Sequence, residues 1–359
     1  CALPISGTYK GIVKRMHNSL RPQNHMVIEC DFKQTKVQSF APLDWQSASR
    51  EECVDFVKNA GIVGLGGAGF PTYVKYMKPD GVDYVLINAV ECEPYITADY
   101  RSVMDDAQDL VTGAKIMKKM AEAKTVYICI KESHPDLIEK VKSSLNDAAG
   151  VEVRPVPDVY PMGWERVLVR EVLHKEYGGL PAEAGAIIGN ASSAIAIAKA
   201  FEKGEAITQK NLTVSGECVK NPHNVCVPVG MPVSEIIEAC GGYTQDTVRL
   251  ISGGPMMGKT IVNDMFVVDR AMNALTVLPA ANDDAIACLR CGKCSDHCPS
   301  GLQPVRITAA LKANDVDEMS KRGVMSCIEC GMCTYICPSH IDVTENVRKA
   351  KRIVMLKKK

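Results

Sequence analysis

The sequence predicts an α/β protein followed by a small α+β module and a helical, cysteine-rich domain. Between residues 83 and 160, apolar strand-like stretches alternate with amphipathic helix-like stretches, which is typical of an α/β layer with a mainly parallel sheet. After residue 206 the pattern changes to short strands and turns, and the segment from residue 284 onward carries eight cysteines in two matching frames. These three observations predict the three parts and their order.

Local patterns predict the elements one by one. Residues 1–40 have the composition of strands and turns, and residues 49–61 form a helix between a Ser cap and a closing Gly. The sheet and its crossover helices are predicted, in chain order, at 83–90, 106–123, 124–130, 135–148 and 151–157.

Composition narrows the functional classes. The chain of 359 residues carries 42 basic and 42 acidic side chains, and its pI is about 7.1. A general nucleic-acid-binding protein would be strongly basic, so this class is excluded. Half of the 16 cysteines stand in the two frames and the rest are scattered over a long chain. This distribution is typical of a protein in the reducing cytoplasm, in contrast to a small disulfide-rich secreted one.

No segment has enough uninterrupted apolar sequence to span a membrane. The nearest, residues 184–201, is interrupted by Asn190, Ser192 and Ser193. The terminal KAKRIVMLKKK is basic; a solvated tail is its simplest interpretation, although it could touch an anionic membrane or an acidic partner such as ferredoxin. We therefore expect a cytoplasmic location without transmembrane segments, and peripheral association with the cytoplasmic face of the membrane stays open.

The two cysteine frames are the most specific signal in the sequence. Each reads C-x-x-C-x-x-C-x-x-x-C-P, at residues 288–299 and 327–338. Thiolates favour iron–sulfur clusters, zinc or copper(I). In a frame of this kind three thiolates wrap one cluster, and the fourth, before Pro, reaches the partner cluster. Two [4Fe-4S] clusters are predicted, one with Cys288, Cys291, Cys294 and Cys337, the other with Cys327, Cys330, Cys333 and Cys298.

Zinc is the alternative for these cysteines. Zinc knuckles usually present two separated C-x-x-C pairs, which these frames are not. His297 and His340 stand beside the frames and could replace a ligand, but eight cysteines already complete two four-thiolate sites. Two linked clusters carry single electrons and do little other chemistry.

The glycine-rich loop GLGGAG, residues 64–69, matches the spacing of a dinucleotide-binding fingerprint. That fingerprint should follow a strand and open a helix, whereas here a predicted helix comes before it and Pro71 follows almost at once. We therefore reject the Rossmann interpretation. Glycines without side chains can still bring backbone N–H groups close to a phosphate.

Polar residues crowd the end of the strand predicted at 83–90. They are Asn88, Glu91, Glu93, Asp99 and Arg101. The carboxyl ends of strands are where α/β sheets place ligands. An ordinary charged loop is the alternative.

These stretches together resemble one family. GIVGLGGAGFPTYVKY (61–76) and INAVECEPYITADYR (87–101) are similar to RnfC, the C subunit of the Rnf ferredoxin–NAD oxidoreductase complex, and more distantly to the 51 kDa flavin subunit of respiratory complex I. The likeness continues through 160–172 and 178–200, through an SLBB (β-grasp) module, and through both cysteine frames. Relatives of this kind include proteins associated with proline reductase and with cobalamin enzymes.

The resemblance implies five segments. They are a partial barrel-sandwich hybrid domain (1–41), an FMN- and nicotinamide-binding α/β domain of the complex I 51 kDa type (42–205), an SLBB module (206–262), a connection (263–284) and a dicluster ferredoxin-type domain (285–359). It also implies FMN, two [4Fe-4S] clusters and NAD(H) as substrate. The implied cofactor-binding residues are Gly64, Gly66, Gly67, Lys75, Asn88, Glu91, Glu93, Tyr160, Glu165 and Asn190.

The implied function is electron transfer between NAD(H) and a partner, without an acid–base triad. The family's second motif usually reads Tyr-Pro-x-Gly-Gly-Glu, and Trp164 stands here in place of the second glycine. An indole there would narrow the nicotinamide pocket and puts direct use of NADH in question. Three interpretations stay open: a component of a membrane Rnf-type complex, a soluble relative that delivers electrons to a reductase such as proline reductase or a cobalamin enzyme, and a non-catalytic scaffold.

Overall fold

The computed structural model describes residues 6–17, 20–33, 35, 39–146, 148–280 and 284–357. It divides into two compact units. The first comprises Cys1–Gly254 and Lys259–Pro279, and the second comprises Pro255–Gly258 and Ala280–Lys359.

The elements of the first unit follow the predicted order. Its strands are β1 (Gly7–Met16), β2 (Pro22–Cys30), β3 (Tyr84–Asn88), β4 (Thr125–Lys131), β5 (Val151–Val156), β6 (Ala186–Asn190), β7 (Gln209–Ser215), β8 (His223–Pro228), β9 (Val248–Ser252), β10 (Lys259–Ile261) and β11 (Ala274–Pro279). Its helices are α1 (Arg50–Asn59), α2 (Ala98–Asp105), α3 (Ala107–Ala121), α4 (Pro135–Ser144), α5 (Glu165–Leu173), α6 (Ala191–Lys203) and α7 (Val233–Ala239), with 3₁₀ turns at Thr72–Tyr76 and Pro181–Ala184.

The first unit contains a parallel sheet of order β5-β4-β3-β6. The sequence predicted a mainly parallel sheet here, and the structure adds β6 and the strand order. Alternate residues of β3 point to opposite faces. Val85 and Ile87 join one buried cluster, and Leu86 joins the cluster on the other face. Apolar residues therefore cover both faces, which is the usual condition of a parallel sheet.

Close packing of α3 on α6 covers one face of this sheet. A Cβ atom at Gly113 would lie 2.0 Å from the carbonyl oxygen of Ala194, so only glycine allows this approach. Asn190 is the last residue of β6 and the N-cap of α6, so it lies at the carboxyl end of the sheet.

Helix α1 precedes the glycine-rich loop, as predicted. Ser49 caps it, accepting a hydrogen bond from the Glu52 amide while the Glu52 carboxylate accepts one from the Ser49 amide. This reciprocal capping box satisfies two amides that a helix start leaves open. The glycine-rich loop thus follows a helix, and it is closed by a single bridge between Val63 and Pro71.

Two further sheets complete the first unit. β1 and β2 form an exposed antiparallel hairpin with an irregularity between Tyr9 and Gly11. The other sheet has the order β10-β9-β11-β7-β8. Its central strand, β11, comes from the segment 263–284 that the sequence assigned to a connection. Leu275 and Val277 are fully buried there, so burial of their side chains incorporates β11 into the module.

The second unit is helical. Its helices are α8 (Lys293–Asp296), α9 (Pro304–Lys312), α10 (Val316–Lys321), α11 (Met332–Tyr335) and α12 (Val343–Lys357), with a 3₁₀ turn at Val324–Ser326. Ile307, Met319 and Val347 lie in its small core. Across the described parts of both units, no helix has the length and apolar character required to cross a bilayer.

Candidate functional site

The glycine-rich loop folds back on itself at the edge of the parallel sheet. The Gly64 amide donates to the Phe70 carbonyl at 2.8 Å, and the Gly69 amide donates to the Gly64 carbonyl at 3.1 Å. Ser193, in the first turn of α6, accepts from the Leu65 amide at 2.9 Å and donates to the Val63 carbonyl at 3.3 Å. The loop is therefore held to the sheet by a hydroxyl group distant in sequence.

Two glycines give the loop an open outer face. A Cβ atom at Gly66 would lie 2.8 Å from Nδ2 of Asn190, so a side chain there would displace that amide. Gly67 has φ +114°, and no atom lies within 4 Å of where its Cβ would be. Both are exposed. This exposed glycine backbone, left bare by the lack of side chains, fits an anionic phosphate group.

Asn190 links the loop to a buried carboxylate. Its Oδ1 accepts from the Ser193 amide and caps α6, while its Nδ2 donates to Asp99 at 2.6 Å. The Ser192 hydroxyl donates to the other Asp99 oxygen at 2.5 Å. The side chain of Asn190 is thus fixed in orientation beside Gly66.

The carboxyl end of β3 fixes the loop before α5. Asn88 donates through Nδ2 to the Gly163 carbonyl at 2.7 Å and accepts from the Val90 amide through Oδ1. The Cys92 thiol accepts from the Gly163 amide at 3.2 Å. Burial raises the pKa of Cys92 to about 11, so this thiol is a packed, unreactive group.

Glu91 faces the start of α2. It has φ +44°, and its carboxylate accepts from the amides of Asp99 and Tyr100 at 2.8 and 3.0 Å. Burial, and then the nearby charge of Asp99, raise the pKa of Glu91. In this structure the residue holds the beginning of α2 in place, and its predicted approach to a flavin remains a prediction.

Lys75 and Glu165 form a half-exposed ion pair at this edge of the sheet. Lys75 Nζ lies 3.2 Å from Glu165 Oε1 and donates to the Ile188 carbonyl at 2.8 Å. Glu165 begins α5, where the helix dipole favours a carboxylate. Lys75, Asn88 and Glu165 thus all lie at one end of the parallel sheet.

Trp164 is partly buried against the apolar cluster that contains Leu86 and Leu168. Because the indole of Trp164 packs against this core, the expectation that Trp164 narrows a nicotinamide pocket is weakened. Tyr160 is also partly buried and precedes Pro161 through a cis peptide bond. Glu93 packs against the backbone of Gly254, where a Cβ atom would lie 2.0 Å from Glu93 Cγ.

In the second unit, four thiols surround one pocket. Cys298 of the first frame lines it together with Cys327, Cys330 and Cys333 of the second. Apolar side chains, among them Leu302 and Val347, complete the walls. This grouping is the crossed set that the spacing predicts for one cluster.

The donor chemistry of this pocket fits a cluster better than a single ion. A zinc ion would draw four sulfur atoms to about 2.3 Å from one point. Among the described residues, no three or more His, Cys, Asp or Glu side chains converge in a way that could hold one metal ion. Four thiols within apolar walls form the donor set that a [4Fe-4S] cluster requires.

The remaining four cysteines are more exposed. Cys288 and Cys291 lie at the surface, and Cys294 accepts a hydrogen bond from the Val305 amide at the start of α9. Cys337 packs against the helical core. Their assignment to one cluster remains a prediction.

The two frames repeat in backbone conformation. Arg290 and Glu329 both have φ +56°, and the glycines that follow, Gly292 and Gly331, have φ +82° and +80°. Equivalent left-handed residues at equivalent positions give the same wrap of three thiols in each frame. The two equivalent positions carry opposite charges, Arg290 in the first frame and Glu329 in the second. The Glu329 carboxylate pairs with Arg348 and Lys351 of α12.

Thr344 is a polar neighbour of the enclosed set. Its Oγ1 lies 3.3 Å from Cys333 Sγ and accepts from Thr334 Oγ1 at 2.8 Å. A metal-bound Cys333 is a thiolate, so the Thr344 hydroxyl becomes the donor. Such a hydrogen bond favours the reduced, more negative cluster.

We expect Thr344→Val to lower the midpoint potential of this cluster by about 40 mV, which corresponds to about 1 kcal/mol for one electron. Redox titration followed by electron paramagnetic resonance measures the shift. Thr308→Val is the matched control, since the buried Thr308 hydroxyl has no hydrogen-bond partner among the described residues. Equal potentials in all three proteins would contradict the expectation.

Two residues at the loop were missed by sequence reasoning. Ser193 stands out in the sequence only as an interruption of an apolar run, and the sequence does not predict that Lys210 donates to the Leu65 carbonyl at 2.8 Å. The available signal for the second was its alternation with Leu212 and Val214, which places Lys210 on the face of β7 that carries these apolar residues.

Comparison with known proteins identifies three successive domains in the chain. Family models match for the Nuo51 FMN-binding domain at residues 57–199, the SLBB domain at 211–260 and the 4Fe-4S dicluster domain at 280–338. Among solved structures, the NAD⁺-reducing [NiFe]-hydrogenase in its H₂-reduced state is similar in fold, with a TM-score of 0.60 at 14% identity. That match covers 89% of this chain and 64% of the hydrogenase chain.

Three curated relatives, each the C subunit of its complex, are similar in sequence. That of the proton-translocating ferredoxin:NAD⁺ oxidoreductase complex of Clostridium ljungdahlii is 36% identical over 78% of this chain and 63% of its own length. That of the ion-translocating oxidoreductase complex of Rhodobacter capsulatus is 37% identical over 78% and 56%. That of the Na⁺-translocating ferredoxin:NAD⁺ oxidoreductase complex of Acetobacterium woodii is 34% identical over 99% and 82%. The matches thus span less than two thirds of the first two relatives.

Proposed function

Because the chain belongs to the RnfC family, the C subunits of Rnf-type ion-translocating oxidoreductase complexes, we propose that it transfers electrons between NAD(H) and a partner through FMN and two [4Fe-4S] clusters. The observation that carries this proposal is the presence, in one chain, of an open glycine loop at the end of a parallel sheet and a pocket lined by four thiols.

FMN would be held at the loop edge of the first unit. The backbone of Gly64, Gly66 and Gly67 would receive its phosphate, and the ion pair of Lys75 with Glu165 would flank the ring system. FMN, when bound, exchanges two electrons with a nicotinamide and one at a time with clusters. Asn88 and Asn190 would act by fixing the loops on either side, since both carboxamides are engaged in the protein.

NAD(H) would bind on the same side. Glu93, Tyr160 and Glu165 are the residues that we propose to face the nucleotide. Trp164 packs against the apolar cluster of Leu86 and Leu168. This packing supports NAD(H) binding, because the indole is held by the core.

The thiols of the second unit would hold the two clusters in the crossed arrangement. Cys288 and Cys291 of one proposed set are exposed, whereas Cys298, Cys327, Cys330 and Cys333 of the other line one pocket. This difference supports the surface set as the point where electrons reach a partner. Other subunits of an Rnf-type complex, at the cytoplasmic face of a membrane, are the partners that the family relationship favours.

A reconstitution experiment tests the proposal. We expect the purified, anaerobically reconstituted chain to contain one FMN and about eight iron atoms. Addition of NADH should bleach both the flavin and the cluster absorption. Flavin and iron without bleaching would contradict NADH as the donor, and absence of flavin binding would contradict the proposed site. Clusters that cannot be reduced by dithionite would favour a scaffold.

A further inference from the structure

A buried lysine of strand β7 contacts the glycine-rich loop. Lys210 is the second residue of β7 and is only 4% exposed. Its Nζ donates to the Leu65 carbonyl at 2.8 Å. Both residues lie in the first unit. Burial of an ammonium group is costly unless charge and hydrogen bonding offset it, so this position calls for an explanation.

The contact determines the direction of the next amide. In a trans peptide the C=O and N–H groups point to opposite sides of the chain. Because the Leu65 carbonyl faces Lys210 beneath the loop, the Gly66 N–H faces the open side. The Leu65 amide is held to Ser193 at the same time. The loop is therefore oriented from beneath by one ammonium and one hydroxyl.

The buried charge of Lys210 lies near carboxylates of the same unit. The acidic groups that face it are Asp99, Asp269 and Glu91, and burial lowers the pKa of Lys210 against their effect. Each of these carboxylates is engaged by other donors: Asp99 by Asn190 and Ser192, Glu91 by two amides of α2, and Asp269 by two amides of its own turn. Lys210 is therefore the cation among these carboxylates, and its Nζ is bonded directly to the loop backbone at the Leu65 carbonyl.

We propose that Lys210 is a positioning residue for the phosphate of the flavin: it orients the Leu65–Gly66 peptide toward the phosphate and supplies positive charge beneath the loop. The inference rests on the proposed FMN site. The proposal also means that the sheet containing β7 takes a direct part in cofactor binding. The chemistry recognised is that of a phosphate monoester dianion.

The test compares two flavins that differ only in the phosphate. The full-length chain with intact clusters, freed of flavin, is titrated with FMN and with riboflavin while quenching of flavin fluorescence is recorded. We expect Lys210→Met to weaken FMN binding by roughly tenfold or more, because a charge-assisted contribution is lost. Riboflavin affinity should change by less than about twofold. Lys259→Met is the control, an exposed lysine of the same sheet.

Equal weakening of both flavins, or no change, would overturn the proposal, since the role would then be structural or absent. Circular dichroism and thermal unfolding verify folding of the variant. Lys210→Gln, which retains a hydrogen-bond donor without charge, replaces Lys210→Met if that protein does not fold, and the same selective loss is expected. If the unmodified chain binds neither flavin, the proposed FMN site itself fails, which is a distinct result.

Discussion

Substitution of Cys298 by alanine should remove the cluster whose other proposed ligands lie in the second frame. Cys298 belongs by sequence to the first frame, but it lines the same pocket as Cys327, Cys330 and Cys333. We therefore expect Cys298→Ala and Cys330→Ala to lose the same paramagnetic species and about four iron atoms each. Iron analysis and electron paramagnetic resonance of the dithionite-reduced proteins measure both quantities.

The comparison includes two further variants. Cys291→Ala should remove the other species and leave the signal that Cys298→Ala abolishes. Cys226→Ala is the matched control, because Cys226 is an exposed cysteine of β8 outside both frames, and its iron content should equal that of the unmodified chain. If Cys298→Ala shared its spectrum with Cys291→Ala, the crossed arrangement would be wrong.

Gly66→Val should lower FMN affinity by roughly 100-fold. A Cβ atom at this position would already lie 2.8 Å from Asn190 Nδ2, and the valine methyl groups would add volume on the face that a phosphate must approach. Displacement of Asn190 would also disturb its bonds to Asp99 and Ser193. Loss of two or more such interactions accounts for the magnitude. Fluorescence titration with FMN measures the effect.

A glycine outside the loop provides the control. Gly178→Ala adds a methyl group whose nearest neighbour would be 3.9 Å away, and it should bind FMN as tightly as the unmodified chain. The cluster content of both variants should be unchanged. An affinity in Gly66→Val within about threefold of the unmodified chain would contradict the assignment of the phosphate to this loop.

Regular elements were predicted from sequence because their signals are local. Ser49 and Glu52 mark the start of α1 through a spacing of three residues. The predicted strands at β3 and β4 are continuous apolar runs, which identify strands covered on both faces. The strand at β5 alternates apolar and polar residues, which is typical of a strand with one exposed face. Residues 265–280 have a strand-like sequence within the predicted connection, but the place of β11 in the sheet follows only from its pairing with β7 and β9.

The features of the candidate sites also differ in whether the sequence alone predicts them. The sequence by itself determined the two cysteine frames, the glycine loop and the order of the domains, because the spacing of ligands and the absence of side chains are properties of short segments. Only the tertiary structure decided that Glu91 faces α2 and that the loop is held by Ser193 and Lys210. These last two residues are 128 and 145 positions from Leu65. Contacts over such separations depend on the packing of sheets and helices, which no local periodicity encodes.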